Sequence, residues 1–492
     1  MNLKRTSLEI ANIKKEGVES FLDAVSRRGI ELHDFMLLRG SYVCYEAEWT
    51  PYRKEDLHML YSLSKAFTAI GIGFAVQEGL LKTEDYVYPF FQEELEQKGY
   101  ANTIGEKAKK IKIEHLLTMS TGQTEEPPIL NYEFEGNWAA QFLQIEPVYE
   151  PGTAFFYDTT ATYILSAILT KLTGEKLVDY LKPRFFEPLG IDSYVWDTSP
   201  QGNSLGGIGL NVTIETIAKL GVFLLQEGKW QDRQLLDSSW IKRMTSRLVR
   251  SAGGDVYDDG DNWGYGYGYQ IWQCIPEGTY RGDGAYGQLV IVAPNENVVI
   301  ATLAGTEDMG GLMDEMWEHL LPACLPVENQ CLKEAASEKK TFSVSFPEGN
   351  NRIPASIFGT YELAENEEGI QKIQIQNTAE DELSITCFYQ DTRVCCLKYG
   401  YENWMDNRIS GVSYAPYYTC GDICTAQTAG SWAWEKDHLN LKLCYLNGPL
   451  GVTAKFVFSN QTLSVTACKH RSMALKTSFE FFGSAPSHPA TA

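Results

Sequence analysis

The segment that most constrains this chain runs from Ala66 to Val76, "AFTAIGIGFAV", and is apolar on nearly every side. A helix of this composition is buried all round, at the centre of a domain. The run is too short to cross a membrane, so we expect a folded domain to enclose it. Lys65 stands directly before the run. A lysine in such surroundings is costly unless the protein uses its amine, which predicts a functional site at the start of the helix.

The composition allows a large core and excludes several classes of partner. The chain has 492 residues, 44% of them hydrophobic and 22% charged, which predicts two or three domains. A formal net charge of -22 argues against binding to nucleic acid and to anionic membranes. The N-terminal residues lack the apolar core of a signal peptide, so we expect a cytoplasmic protein.

The eleven cysteines are odd in number, and most lie beyond residue 324. A secreted disulfide framework would more often be even and regularly spaced, so we expect reduced thiols. Cys420 and Cys424 form "CGDIC", but no histidine lies at a spacing that would complete a set of four zinc ligands. We therefore predict no metal site.

Two kinds of pattern divide the chain. Up to residue 324, strand-like runs come first ("DFMLLRG", "YVCYEAEW"), helices follow, and strands return ("GYGYGYQIW", "AYGQLVIVAP", "ENVVIATLAG") before a closing helix. This order predicts one α+β domain, residues 1–324, whose sheet joins both ends of the segment. A charged linker, residues 325–345, leads to repeated strands that predict an all-β barrel or sandwich over residues 346–482. Residues 483–492 have the composition of a disordered tail.

Ser62 precedes Lys65 by three residues, a spacing that places both side chains on one face of a helix. A serine in the first turn lies at the positive end of the helix dipole, and a lysine in a dry site has a lowered pKa and can act as a base. These are the parts of an activated serine nucleophile. The same spacing occurs twice more in the chain, but only Lys65 is followed by a continuous apolar helix. We therefore predict that Ser62 is a nucleophile; the alternative is an ordinary polar helix start.

Three stretches carry a wider pattern: "MLYSLSKAFTAIGIGFAVQEGLL", "IKIEHLLTMSTG" and "EPGTAFFYDTTATYILSAIL". Their motifs and order resemble the serine β-lactamase and penicillin-binding-protein superfamily, in particular its class C-like esterases and D-aminopeptidases. The resemblance covers about residues 15–324. It implies an antiparallel sheet flanked by helices, a helical subdomain, and hydrolysis through an acyl-enzyme on Ser62.

The resemblance assigns the family's catalytic tyrosine to Tyr157, in "FFYDTTATY". A phenol near a lysine ammonium can lose its proton at an unusually low pH and serve as a general base. The alternative is a core aromatic. The family's asparagine two residues later is Thr159 here, whose hydroxyl offers no amide. We take Thr159 as a substrate-binding candidate, together with Gln123, which follows "LLTMSTG".

The family's third motif places a basic residue on the strand that edges the site. The matching positions here are Gly282, Asp283 and Gly284, in "YRGDGAYGQLVIV", with Arg281 beside them. The change weakens the prediction of a β-lactamase, because the group that holds a β-lactam carboxylate is missing from its own position.

Two interpretations of Asp283 stay open. Together with Glu125 and Glu126, it would favour a substrate that carries an amine. Alternatively, Arg281 and Asp283 simply pair, because residues two apart share one face of a strand. We take Arg281, Asp283 and Gly284 as further substrate-binding candidates.

The resemblance further implies an oxyanion hole made by the backbone amides of Ser62 and Ala285, each worth roughly 3–4 kcal/mol in the transition state. The predicted function is hydrolysis of an ester or amide, as in a carboxylesterase or a D-amino-acid peptidase or amidase. The expected substrate is a small molecule or short peptide, and no cofactor is implied. β-Lactamase or penicillin-binding activity is the alternative, and a non-catalytic binding module on the same fold is a second one.

Overall fold

The computed structural model describes residues 3–127, 136–251, 260–326, 332–410, 425–459, 462–471 and 478–484. They form two compact units. The first comprises the described residues of Met1–Ala47 and Lys54–Lys340, and the second comprises Glu48–Arg53 and the described residues from Thr341 on. From residue 485 on, the predicted disordered tail lies outside the described residues.

The first unit is built on a mainly antiparallel sheet whose strands come from both ends of the segment. The strand order is β1-β3-β2-β12-β11-β10-β9, and β13 pairs with β3. The pairing of β12 with β2 confirms the prediction that the sheet joins the two ends. A small sheet, β4-β6-β5, and a hairpin, β7-β8, complete the unit. The strands are β1 Lys4–Arg5, β2 Leu32–Arg39, β3 Tyr42–Thr50, β4 His58–Met59, β5 Tyr194–Trp196, β6 Leu210–Val212, β7 Lys229–Trp230, β8 Arg233–Gln234, β9 Trp272–Gln273, β10 Tyr280–Gly284, β11 Gln288–Ala293, β12 Val298–Ala304 and β13 Glu338–Ser343.

Every residue of the central strands β2 and β12 is buried. Both faces of the sheet are therefore covered, and helices provide the cover. On one face Phe21 packs against Phe35. On the other, Met36 and Leu38 join the large core cluster of the helical region. The helices are α1 Lys15–Arg27, α2 Ser64–Gln77, α3 Tyr88–Gln97, α4 Ile113–Leu117, α5 Trp138–Gln144, α6 Thr159–Thr173, α7 Leu177–Leu181, α8 Ile214–Leu225, α9 Ser238–Met244 and α10 Met309–Glu315.

Helix α2 is the apolar helix that the sequence predicts. Every residue from Ser64 to Ala75 is buried. Helix α6 also follows its sequence signals: the Asp158 side chain accepts a hydrogen bond from the Thr160 N–H at its start, and Gly174 ends it at a φ of +73°. None of the helices in the described part of the chain combines the length and the hydropathy that a membrane crossing requires.

The prediction of a strand over "GYGYGYQIW" is wrong. Over residues 264–271 the backbone forms bends and isolated bridges, and only Trp272–Gln273 pairs as a strand. Two of the alternating glycines allow backbone geometries that a residue with a Cβ would not easily adopt. Gly266 adopts a φ of +116°, outside the extended region, and a Cβ at Gly268 would collide with the Met244 carbonyl.

The second unit is a nearly closed barrel, which confirms the predicted all-β fold. Its strand order is β14-β15-β16-β17-β19-β20-β21-β22-β23, with β18 paired to β19. A bridge between Leu363 and Gly483 brings the two edges together. Trp432 and Trp434 are buried in this unit. The strands are β14 Gly359–Glu362, β15 Ile370–Ala379, β16 Glu382–Tyr389, β17 Val394–Tyr401, β18 Met405–Ser410, β19 Thr425–Glu435, β20 His438–Tyr445, β21 Gly451–Ser459, β22 Thr462–His470 and β23 Ser478–Ser484.

Candidate active site

Ser62 lies in a single 3₁₀ turn, Tyr61–Leu63, that leads directly into α2. Tyr61 has a φ of +47°, a backbone conformation that costs a non-glycine residue roughly 1–3 kcal/mol. Hydrogen bonds hold it there. The Ser64 hydroxyl donates to the Tyr61 carbonyl at 2.6 Å and accepts from the Leu210 N–H at 3.2 Å. The turn is therefore held rigidly, with Ser62 partly exposed on it.

The Lys65 amine has three polar partners. Nζ lies 2.8 Å from the Ser62 Oγ, 3.3 Å from the Thr159 Oγ1 and 3.0 Å from the Gly207 carbonyl oxygen. An ammonium would donate to all three. A neutral amine would donate to Thr159 and Gly207 and accept the Ser62 proton. Both protonation states are therefore satisfied by the same geometry.

Burial lowers the pKa of Lys65 to about 7, because the ammonium loses its hydration inside the core. The negative charges of Glu126, Asp158 and Asp283 oppose this change. A lysine with a pKa near neutrality exists in both forms at physiological pH, as a proton-transfer group requires.

Tyr157 lies beside the lysine. Its ring centroid is 4.7 Å from the Lys65 Nζ. The ring stacks on Trp272 with centroids 5.4 Å apart and meets Tyr267 edge-on at 6.2 Å. The structure thus places the predicted catalytic side chains of Ser62, Lys65 and Tyr157 close together. The ring of Tyr157 is held between Trp272 and Tyr267.

Two carboxylates surround the start of α6. The Glu126 Oε1 accepts a hydrogen bond from the Thr159 N–H at 2.8 Å, and the Asp158 Oδ1 accepts from the Thr160 N–H at 2.8 Å. Asp158 is fully buried, and burial raises its pKa to about 7. Its Oδ2 has no hydrogen-bond partner among the described residues. Glu126, in contrast, is exposed.

Strand β10 packs closely on the turn that carries Ser62. A Cβ at Gly284 would collide with the Leu60 carbonyl oxygen, so only glycine allows this approach. The next residue, Ala285, begins the β10–β11 turn. The buried Gln288 side chain fixes that turn by donating to the Ala285 carbonyl at 2.9 Å and to the Ala304 carbonyl at 2.8 Å. This rigid turn holds the peptide predicted to supply the second oxyanion donor.

Asp283 is paired, as the second interpretation of the sequence expects. Its Oδ2 accepts hydrogen bonds from the Arg281 Nε and from the Trp263 Nε1, both at 2.9 Å. The Arg281 side chain is fully buried, and its Nη1 also donates to the Asn262 carbonyl at 3.0 Å. The structure therefore uses Asp283 to neutralise a buried guanidinium.

Packing also restricts the position at which the strand motif lacks its basic residue. A Cβ at Gly282 would collide with the buried Leu63 side chain. Gln123, a predicted substrate-binding residue, is buried as well, and its amide donates to the Ile145 carbonyl at 3.1 Å.

Three residues that contact the site were not predicted from the sequence: Gly207, Trp263 and Gln288. Gly207 belongs to "SLGGIGL", whose clustered glycines are the one available signal. A Cβ there would collide with Thr159. No sequence pattern points to a site role for Trp263 or Gln288. Trp263 bonds to Asp283, 20 residues away along the chain, and Gln288 bonds to backbone carbonyls, which carry no residue signature.

Among the described residues, one group has side chains close enough to hold a metal ion: Glu315, Glu318 and His319. Glu315, the central member of this group, has other polar partners. The Arg28 Nε lies 2.6 Å from the Glu315 Oε1, and the His319 Nε2 lies 3.2 Å from the Glu315 Oε2. Cys420 and Cys424 lie outside the described residues.

Comparison with known proteins places the matching region over the first unit. The family model described as Beta-lactamase matches residues 35–324. Penicillin-binding protein 4* of Bacillus subtilis (strain 168) is 26% identical over 158 residues, which cover 30% of this chain and 32% of that protein. The 6-aminohexanoate-dimer hydrolase of Paenarthrobacter ureafaciens is 22% identical over 296 residues, which cover 56% of this chain and 72% of that protein.

The fold is also found among solved structures. A penicillin-binding protein homologue from Caulobacter crescentus superimposes with a TM-score of 0.50 at 16% identity, covering 65% of this chain and 100% of that one. This confirms the α+β architecture that the sequence motifs imply.

Proposed function

The chain belongs to the β-lactamase family, and we propose that it is a serine hydrolase that cleaves an ester or amide through an acyl-enzyme on Ser62. The observation that carries this proposal is the 2.8 Å contact between the Ser62 Oγ and the buried Lys65 amine. A buried amine with a pKa lowered to about 7 can take the serine proton at neutral pH.

In the proposed reaction, neutral Lys65 accepts the proton of Ser62 as its Oγ attacks the substrate carbonyl. The backbone amides of Ser62 and Ala285 stabilise the oxyanion. Lys65 and Tyr157 then deliver the proton to the leaving group and later activate the water that releases the acyl group. Thr159 and the Gly207 carbonyl orient the lysine throughout, which is the role their contacts support.

The proposed substrate is a small molecule or short peptide of the carboxylesterase or D-amino-acid peptidase or amidase type. The related protein from Paenarthrobacter ureafaciens is named as a hydrolase of the 6-aminohexanoate dimer. β-Lactamase activity is the weaker alternative, because position 282 has no basic side chain, a side chain there would have to displace Leu63, and Asp283 pairs with Arg281.

A fluorophosphonate probe tests the nucleophile. We expect the intact chain to be labelled and Ser62→Ala to take up no label. Ser239→Ala is the matched control: Ser239 also precedes a lysine by three residues, but that lysine, Lys242, is 63% exposed and pairs with Glu227. Equal labelling of Ser62→Ala and the wild type, or no labelling of the wild type, would overturn the proposal.

A substrate panel then separates the hydrolase classes. Nitrophenyl esters, D-aminoacyl amides, D-Ala-D-Ala peptides and nitrocefin are compared by kcat/KM. We expect esters or amides to exceed nitrocefin. Efficient hydrolysis of nitrocefin would establish the β-lactamase alternative instead.

A further inference from the structure

Two cysteines face each other across neighbouring strands of the barrel. Cys387 on β16 and Cys395 on β17 are directly opposite in the antiparallel register. The hairpin that joins these strands closes with the Tyr389 N–H donating to the Arg393 carbonyl at 3.0 Å. Hydrogen-bonded pairs recur at every second position of an antiparallel ladder, so Cys387 and Cys395 also form such a pair.

This register places the Cα atoms within reach of a disulfide bond. The Cα atoms of a hydrogen-bonded antiparallel pair are about 5.5 Å apart. Disulfides span Cα separations of about 4.4–6.8 Å, most often about 5.5–6 Å. The Cα spacing of β16 and β17 therefore lies within the disulfide range. The Cβ atoms of a hydrogen-bonded pair, about 5.5 Å apart, have to move about 1 Å closer to reach the roughly 3.5–4.5 Å of a disulfide.

Both side chains lie on the inner face of the barrel. Ile385, two residues before Cys387, is buried, and Tyr399, four residues after Cys395, is buried as well. Residues two and four apart share a face of a strand, so both thiols point to the same side. Both are partly buried free thiols, whereas Cys396, one position further along, is exposed.

We propose that Cys387 and Cys395 form a thiol modification site, at which a low-molecular-weight disulfide oxidises them to an intrachain disulfide. The Cys395 thiolate attacks one sulfur of the small disulfide, forming a mixed disulfide and expelling one small thiolate. The Cys387 thiolate then attacks the Cys395 sulfur and expels the second. The two expelled thiolates take up the two protons lost from the cysteines and become thiols, and the small disulfide accepts the two electrons that the protein loses.

Burial controls the rate of this exchange. It raises the pKa of both thiols, that of Cys387 to about 12, so few thiolates exist at neutral pH. Since the thiolate is the attacking species, we expect slow oxidation that accelerates as the pH rises. Cys395 is the less deeply buried of the two, which is why the first step is assigned to it.

The test is peptide mapping of the full chain after exposure to oxidised glutathione. Free thiols are then blocked with N-ethylmaleimide, and the digest is analysed by mass spectrometry. We expect a Cys387–Cys395 cross-linked peptide that disappears on reduction. On a non-reducing gel the oxidised chain should keep the mobility of a single chain.

Two variants make the result specific. Cys396→Ser should keep the cross-link, and Cys395→Ser should lose it. The exposed Cys396 also reports whether the oxidant reacted, through its own mixed disulfide with glutathione. The proposal is overturned if Cys396 is modified while Cys387 and Cys395 remain free, if Cys387 links to Cys396 instead, or if the bond joins two chains.

Discussion

At the scale of single residues, the proton on Lys65 is subject to two opposing influences. Removal from water lowers its pKa, and the surrounding carboxylates raise it, with Glu126 the foremost of them. Glu126 is exposed and therefore replaceable without opening a cavity. The position of the lysine pKa thus depends on a surface residue that does not touch the amine directly.

Replacing Glu126 by glutamine removes a negative charge near Lys65. The pKa of Lys65 should fall further, so the neutral amine persists to lower pH. We expect the acid limb of the kcat/KM profile to move down by about one pH unit. The measurement is kcat/KM for a reactive nitrophenyl ester across that limb.

Glu125→Gln is the matched control, since Glu125 is the exposed neighbour in the same loop. It should leave the profile in place. Equal displacement in both variants, or movement to higher pH in Glu126→Gln, would contradict the role of Glu126.

The buried Asp158 carboxyl predicts a stability effect. Its pKa rises from 3.8 to about 7 on folding, so the folded chain binds this proton more tightly than the unfolded chain does. Stability from this group is therefore greatest at low pH and falls as the pH rises from about 4 to about 7.

Asp158→Asn keeps a good N-cap and removes the charge. Above about pH 7 the unit that carries Ser62 should be stabilised by up to about 4 kcal/mol, with the gain vanishing below about pH 4. Thermal unfolding across this range measures the difference. A variant less stable than the wild type at the alkaline end would show that the carboxylate is stabilising.

At the scale of elements, the site depends on how closely β10 approaches the turn before α2. Gly282 and Gly284 face that turn, and a side chain at either would meet Leu63 or Leu60. The turn after β10 is fixed independently by Gln288. The distance between the two predicted oxyanion donors is therefore set by backbone packing.

Gly284→Ala should push β10 away from the turn, because the new methyl group would collide with the Leu60 carbonyl. Removing one oxyanion-hole donor lowers kcat by about 10²–10³-fold. We expect misalignment of the Ala285 amide to lower the rate of fluorophosphonate labelling by a similar factor. Gly310→Ala is the control, since it lies in α10 with no neighbour within 4 Å of the new Cβ. Near-normal labelling of Gly284→Ala would refute the close-approach argument.

At the scale of the whole molecule, the chain forms two units that interleave in sequence. The short segment Glu48–Arg53 belongs to the second unit, although it lies before the predicted nucleophile in the chain. Within that unit Tyr52 is buried in a cluster with Val344, Ala429, Cys444 and Leu446. A domain boundary drawn along the sequence misses this insertion.

Tyr52→Ala should therefore destabilise the second unit. Truncation of a buried aromatic residue costs roughly 3–5 kcal/mol. In calorimetry the transition of the barrel should move to lower temperature while that of the unit carrying Ser62 stays in place. Arg53→Ala, at an exposed ion pair with Asp406, is the control and should change little. Loss of the first unit's transition alone would contradict the assignment.

Local patterns were enough to predict the fold class and to single out Ser62 and Lys65 as the candidate catalytic pair. The Ser62–Lys65 spacing, the apolar run of α2 and the cap residues of α6 act over one or two helical turns, where sequence neighbours are also spatial neighbours. The alternating strands of the barrel were readable for the same reason. Where alternation came from glycine and tyrosine, in "GYGYGYQIW", it was misleading, because glycine allows backbones that are not extended.

Tertiary packing alone decided the partners of Lys65, the pairing of Asp283 and the pKa of the lysine. Lys65 contacts Thr159 and Gly207, which are 94 and 142 residues away along the chain. No pattern in the sequence around Lys65 indicates these contacts. The choice between a free and a paired Asp283 was settled by Trp263 and the buried Arg281, which approach it only in the folded chain. The pKa of Lys65 is likewise a property of the fold, because it reflects how completely water is excluded from the amine.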